Sequence, residues 1–199
     1  MRKATRTAAI TFGLLAGVAG IEHGITEILQ GNIHPASLMF PSMGTPCAPD
    51  IAWHACEPAM TLLPNLLIAG IVTVVLCLLT ILWSVKFIQS RYSGVGLILL
   101  SLVTLLAGGG FFPPLIGIVG GIAGIKINKP LNGHPGKATR FFARLWPWPL
   151  VILVAWLLGQ YPVGYFFNDF LKGIMPFGLL LIVVMLPLSV YTGYAHDVK

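Results

Sequence analysis

Residues 58–85 read PAMTLLPNLLIAGIVTVVLCLLTILWSV and contain no Asp, Glu, Lys or Arg. A helix needs roughly 20 apolar residues to cross a hydrocarbon core of about 30 Å, and this run exceeds that length. The runs 92–125, 145–168 and 173–195 are also free of charged residues. Segments such as LLIAGIV (66–72) do not alternate apolar with polar residues, as a membrane-spanning barrel strand would. Because backbone groups in lipid must hydrogen-bond within the protein, the runs predict transmembrane helices.

The composition of the whole chain indicates the same class of protein. Of its 199 residues, 9% are charged and 56% are apolar, whereas a soluble domain usually carries about 25% charged residues. These values exclude a soluble globular protein, a disordered chain and a nucleic-acid binder. A fifth and shorter apolar run spans 7–21. We expect an all-α, polytopic transmembrane helical bundle that forms a single integral membrane domain over residues 1–199.

Basic residues are distributed unevenly among the segments that join the apolar runs. The segment 31–57 contains no Lys or Arg, and Lys172 is the only basic residue in the loop near Asn168. With a cytoplasmic N-terminus, 11 of the 12 basic residues, all except Lys172, fall on the cytoplasmic side, in agreement with the positive-inside rule. The sequence thus predicts a multi-pass plasma-membrane protein with both termini inside, an outer loop 31–58 and a basic cytoplasmic loop 126–145.

The run 92–125 is too long for one ordinary crossing. As a single helix its 34 residues would measure about 51 Å, and one crossing would place the basic loop outside. Residues 108–114, GGGFFPP, interrupt the run, which we interpret as a hairpin. It consists either of two short spans, which we favour, or of a re-entrant pair of half-helices. About six membrane-crossing segments result, with a broken third/fourth hairpin: 8–30, 59–85, 94–109, 113–126, 146–166 and 174–195.

Polar side chains gather at the outer ends of the first two predicted spans. His23 and Glu27 are four residues apart and Gln30 follows three residues later, so the three share one helical face. A carboxylate at the bilayer centre costs about 2.5–3.5 kcal/mol on insertion scales, so intramembrane acids often mark function. We predict an outward-facing polar pocket that binds or transports a proton, a cation or a small polar solute. On the second span, Glu57, Thr61 and Asn65 recur every four residues and form a second polar face. The candidate site residues are therefore His23, Glu27, Gln30, Glu57, Thr61 and Asn65.

Two other interpretations of this cluster stay open. The same side chains could only tie the helices together by hydrogen bonds, in a structural or accessory membrane subunit. A Glu/His pair could also serve as acid and base in an enzyme that modifies lipid headgroups. The chain lacks GxxxxGK[ST], GxSxG, HExxH and paired CxxC motifs, so an enzyme is less expected. No resident metal and no cofactor are predicted.

Small residues recur at helical spacing on two predicted spans. Such stripes let helix backbones approach closely in lipid, where no hydrophobic force drives helices together. They fit internal packing or, alternatively, contact with a second copy or a membrane partner. Besides the lipid bilayer, these are the expected partners, and nucleic acid is not. The stripe residues are Gly13, Gly17, Gly20, Gly24, Gly117 and Gly121.

The predicted outer loop contains two cysteines, Cys47 and Cys56. A disulfide between them is possible if the loop faces an oxidising compartment, and free thiols are the alternative. Closing a loop of about ten residues would contribute roughly 2–3 kcal/mol in the chain-entropy model. The spacing is not CxxC, which disfavours a thiol oxidoreductase.

Three segments support a resemblance to a known family: AGIEHG (19–24), EPAMTLLPNL (57–66) and GGGFFPP (108–114). The chain resembles, over about residues 10–126, an uncharacterised family of small multi-pass prokaryotic membrane proteins. That resemblance implies a membrane-embedded helical fold and no particular activity, so it transfers no site residues. The pair Cys47 and Cys56 departs from the family's pattern.

Overall fold

The computed structural model describes residues 2–44, 47–129 and 136–198. Of these residues 74% are helical, which confirms the all-α class. A π-helical turn, Trp83–Phe87, continues the second helix, and two short strands, β1 (Met39–Pro41) and β2 (Pro58–Met60), form an antiparallel hairpin. The α-helices are α1 (Lys3–Gln30), α2 (Leu66–Leu82), α3 (Ser93–Ala107), α4 (Phe112–Ile127), α5 (Lys137–Leu145), α6 (Trp148–Phe166) and α7 (Asn168–Val198).

Helices of membrane-spanning length occur four times in the described part of the chain. They are α1, the helix Leu66–Phe87, the segment Lys137–Phe166 and α7. Helices α3 and α4 have 15 and 16 residues, or about 23 Å each, which is shorter than a hydrocarbon core. The structure therefore supports a membrane protein with four helices long enough to cross, and the arrangement of six crossings stays a prediction.

Helix α1 lies at the centre of the bundle and packs against α2, α4 and α7. A core of apolar side chains joins α1 to α4, α6 and α7, and Phe12 and Leu153 at its middle are fully buried. Apolar surface removed from water stabilises a fold by roughly 25 cal/mol per Å², so relative to water this core is the main stabilising contact between the helices. In lipid its contribution comes from close packing instead.

The glycine stripe of α1 faces α2 inside the same chain. A Cβ atom built at Gly24 would lie 2.8 Å from Val74, and one at Gly20 would lie 2.5 Å from the sulfur of Cys77. Gly13 and Gly17 are packed at least as tightly against α2 and its π-turn. Any side chain at these positions would push the two helices apart.

The same holds on α4, where Gly117 packs against Ser101 and Gly121 against the backbone of Gly94 on α3. All six glycines that could have met a partner are therefore covered by this chain's own helices. This packing fits the interpretation of the stripes as internal helix contacts. Contact of the stripes with a second copy or a membrane partner stays a prediction.

Helices α3 and α4 form a hairpin at the predicted break. Gly108 and Gly110 have φ angles of +125° and +72°, which L side chains rarely adopt, and they reverse the chain. Helix α4 then begins at Phe112 with two prolines in its first turn, where a missing N–H costs nothing. The hairpin tip lies against the last turns of α1, beside His23 and Glu27.

The second predicted span begins in the wrong place. It was expected from residue 59, but the structure has β2 at Pro58–Met60 and starts α2 at Leu66. The side chain of Asn65 caps α2 by accepting a hydrogen bond from the N–H of Ile68 at 3.1 Å. Pro64 disfavours a helical conformation at the residue before it, and Asn is a preferred N-cap, so the chain enters the helix only after Pro64. Glu57, Thr61 and Asn65 consequently share no helical face.

The basic loop 126–145 also contains structure that the sequence reading did not predict. Residues 130–135 lie outside the described ranges, but Lys137–Leu145 forms the amphipathic helix α5. Its basic residues Lys137, Arg140 and Arg144 are exposed, whereas the ring of Phe142 packs edge-on against Tyr191 of α7. These basic residues are three and four apart and therefore form one helical face, which is the local signal for α5.

The chain termini meet at one end of the bundle, here called the terminal end. Asp197 of α7 accepts hydrogen bonds from the N–H groups of Ala4 and Thr5, at 2.9 and 2.8 Å, and from the Thr5 hydroxyl at 2.7 Å. A carboxylate in this position satisfies free N–H groups in the first turn of α1 and complements the helix dipole. Tyr194, one turn earlier, lies under the cationic groups of Arg2 and Lys126.

Candidate functional site

The opposite end of the bundle, here called the pocket end, is organised around His23. This side chain is only 2% exposed. Its Nδ1 atom lies 2.7 Å from the hydroxyl of Ser42, and its Nε2 atom lies 3.4 Å from a carboxyl oxygen of Glu57. Ser42 follows β1 and Glu57 precedes β2, so the hairpin brings both residues over the histidine. Glu57 thus reaches His23 from a strand connection and not from a helical face.

The Ser42 hydroxyl connects the ring of His23 to the backbone of Glu57. It can donate to the carbonyl oxygen of Glu57, 3.0 Å away, in which case Nδ1–H of His23 donates to Ser42. It can instead donate to Nδ1, in which case Nε2 carries the ring proton and faces the Glu57 carboxyl group. In both arrangements the imidazole lies within ion-pair distance of that carboxyl group, at 3.4 Å.

A second carboxyl–imidazole pair lies beside the first. Glu22 of α1 lies 3.3 Å from Nε2 of His54 and accepts a short hydrogen bond from the hydroxyl of Tyr161 on α6. The predicted binding residues did not include Glu22, His54 or Tyr161. The outer loop and α6 both turn towards Glu22.

The loop 47–57 is fastened over this end of the bundle. Cys47 and Cys56 are joined by a disulfide. The amide of Asn168, at the start of α7, donates to the carbonyl oxygens of Pro49 and Asp50 at 3.2 Å each. Trp53 packs so closely against Gly164 of α6 that a Cβ atom there would collide with its ring. These contacts hold His54 in place beside Glu22.

Between these groups lies a cavity of about 60 Å³, which has room for several water molecules. The rings of Trp53 and Tyr161 meet edge to face in its wall, with centroids 6.1 Å apart. No Lys or Arg occurs among the described residues that line it. Its polar and aromatic lining consists of Glu22, His23, Trp53, His54, Glu57, Phe112, Gln160 and Tyr161.

Glu27 lies one helical turn beyond His23 but does not line the cavity. It is completely buried, and neither of its carboxyl oxygens has a hydrogen-bond partner among the described residues. The backbone of Gly108 packs directly against this carboxyl group, and that of Gly110 packs against the ring of His23, so that a Cβ at either position would collide. An unpartnered buried charge is costly, so the site suits a carboxyl group that carries a proton or a bound cation.

The remaining predicted site residues make structural contacts. Gln30 donates to the carbonyl oxygen of Ser42 at 2.9 Å, and Thr61 donates to the carbonyl oxygen of Ala107 at 3.1 Å. Asn65 caps α2. Gln30, Thr61 and Asn65 do not line the cavity, because the extended backbone at 58–65 replaces the helix that was to present the last two.

The chemistry of the site is therefore that of two carboxyl–imidazole pairs next to aromatic rings. Within residues 2–44, 47–129 and 136–198, no group of three or more His, Cys, Asp or Glu side chains is arranged to hold a metal ion. Ser42 has an imidazole partner but is fully buried and does not line the cavity. Comparison of the chain with protein-family models, with curated proteins and with solved structures gives no match.

Proposed function

We propose that this chain is a multi-pass protein of the plasma membrane, with both termini in the cytoplasm and about six crossings that include α3 and α4. The distribution of basic residues supports this orientation, because Arg2 and Lys126 lie at the terminal end and Glu22 and Glu57 at the pocket end. The cavity then faces the outer side. A disulfide in the loop above it fits an oxidising compartment.

In that orientation, the protein binds a small cationic solute in the cavity. The observation that carries this proposal is the lining itself, in which two carboxyl groups and the rings of Trp53 and Tyr161 face a space with no Lys or Arg among its described residues. Carboxylates form strong charge-assisted hydrogen bonds with ammonium groups. The faces of Trp and Tyr attract cations through the ring quadrupole.

Binding of a cation and retention of protons compete in this site. Each carboxyl–imidazole pair, Glu22 with His54 and Glu57 with His23, loses negative charge when it takes up a proton. A bound cation therefore favours release of these protons, and by linkage lower pH weakens binding of the cation. Such an exchange is the chemistry that a transporter would use to couple solute movement to protons.

Thermal stabilisation of the purified full chain in lipid nanodiscs tests the proposal, with methylammonium and choline as probes. We expect both cations to raise the melting temperature of the wild type and to lose this effect in Glu22→Gln and Glu57→Gln. The matched control is Asp169→Asn, since Asp169 is an exposed acid that pairs with Lys172 at 3.0 Å and does not line the cavity. Absence of stabilisation in the wild type, or its persistence in both glutamine variants, would overturn the proposal.

A second candidate function, transport of protons, is favoured by Glu27. Its carboxyl group, which has no hydrogen-bond partner among the described residues, lies one turn from His23, and His23 lies 3.4 Å from Glu57 at the cavity. We expect Glu27→Gln to abolish proton flux into liposomes, measured with an internal pH dye, while stabilisation by methylammonium is retained. Flux that is equal in wild type, Glu27→Gln and the Asp169→Asn control would remove this candidate.

A further inference from the structure

A lateral groove of about 210 Å³ adjoins the cavity between α1 and α6. Leu15, Val18 and Leu158 line only the groove, and six further residues line both spaces. Glu22 and Tyr161 are among the shared residues, so the acidic group at the junction belongs to both. The two spaces therefore adjoin, and together they offer a polar part and an apolar part.

The groove opens on the apolar outside of the bundle. Val18 is 57% exposed and Leu158 is 54% exposed, and both lie on faces of α1 and α6 that carry no charged residue at this level. In the proposed orientation these faces contact lipid chains. A ligand can then reach Glu22 from within the membrane as well as from water.

We infer that the occupant of the combined site is an amphiphile with one ammonium head and a single alkyl chain. This inference rests on the proposed function, since the head group takes the place of the small cation between Glu22 and Glu57. The chain lies in the groove against Leu15, Val18 and Leu158. Entry is lateral, from the outer leaflet.

Charge distinguishes this occupant from an ordinary phospholipid. A phosphodiester next to the ammonium group would lie beside Glu22, and no Lys or Arg occurs among the described residues that line either space. Like charges at such short distance repel strongly where little water intervenes. A single-chain amine brings no such anion into the site.

Binding measurements on the full chain in nanodiscs test the inference, with dodecylammonium and methylammonium as probes. The variants Val18→Trp and Leu158→Trp fill the groove from opposite walls without altering the residues of the cavity. The control Leu78→Trp adds the same bulk on α2 at an equally exposed position, 54%, outside the groove. Partition of the amine into the bilayer is the same for all variants and cancels in the comparison.

We expect each groove variant to bind dodecylammonium about tenfold more weakly, a loss of about 1.4 kcal/mol, because the indole ring occupies space that the alkyl chain needs. Methylammonium binding should stay unchanged, which also shows that the variants are folded. Dodecylammonium binding that is unaffected by both groove variants would overturn the inference and leave the proposed function intact, as would equally tight binding of lysophosphatidylcholine. Failure of methylammonium to bind the wild type would overturn both.

Discussion

Two carboxyl groups at opposite ends of α1 have very different surroundings. Asp197, at the terminal end, accepts three hydrogen bonds of 2.7–2.9 Å from the first turn of α1. Glu27, in the last turn of α1, is completely buried and accepts none. A carboxylate that serves the fold is normally saturated with donors, as Asp197 is. Glu27 lacks this saturation among the described residues, so it does not stabilise the fold as a hydrogen-bond acceptor in the way that Asp197 does.

The neighbours of the two acids differ in the same way. Asp197 meets N–H groups that any helix start would offer. Glu27 instead meets the backbone of Gly108, in a turn whose positive φ angles and lack of side chains bring the hairpin tip onto the acid. The hairpin thus encloses Glu27 without supplying it with a donor.

The largest expected effect comes from Gly108→Ala. An alanine with a φ of +125° is disfavoured by about 1–2 kcal/mol. Its Cβ would also collide with the Glu27 carboxyl group, which costs about 1–3 kcal/mol more. We expect the free energy of unfolding to fall by about 2–5 kcal/mol, measured by denaturant titration in detergent micelles.

Gly31→Ala is the matched control, because Gly31 also has a positive φ, +86°, but no atom lies within 4 Å of the added Cβ. Gly31→Ala should lower the free energy of unfolding only by the cost of placing an alanine at a positive φ. In the background of Glu27→Ala the cost of Gly108→Ala should shrink, since the colliding group is gone. An equal cost in both backgrounds would mean that Gly108 does not confine Glu27.

An intermediate effect is expected from Asp197→Asn. The substitution weakens three hydrogen bonds to a charged acceptor and removes its favourable interaction with the helix dipole. We expect a loss of about 1–2 kcal/mol in the same titration, without any change in binding of methylammonium at the distant pocket end. A stability equal to that of the wild type would show that the cap is dispensable and would weaken the contrast with Glu27.

The sequence was sufficient to predict much of this fold because lipid restricts the choice of structure. Charge-free runs predicted the helical class, and GGGFFPP located the turn between α3 and α4. The start of α2 was predicted too early because the helical pattern was extended back through residues 58–65. Pro64 and the capping Asn65 instead make the helix begin at Leu66. Local signals were present there but were given less weight than the apolar pattern.

The candidate site was less predictable, since most of its contacts join distant parts of the chain. His23 and Glu57 do lie together, but the β1–β2 hairpin and not a helical face joins them. His54 and Tyr161 meet Glu22 only because the disulfide-closed loop and α6 converge on α1. Spacing along one helix carries no information about such contacts.

The smallest effect is expected from Glu27→Gln, which replaces the carboxyl group by an amide of nearly the same size. Because Glu27 accepts no hydrogen bond in the described structure, the substitution breaks none, and the free energy of unfolding should change by less than about 1 kcal/mol. Asp197→Asn, an equally conservative exchange, should therefore cost more in the same titration. If Glu27→Gln were the more damaging of the two, the acid would have a structural partner after all, and its role as a proton site would lose its main support. A neutral effect on stability combined with lost proton flux would instead separate the function of Glu27 from the folding of α1.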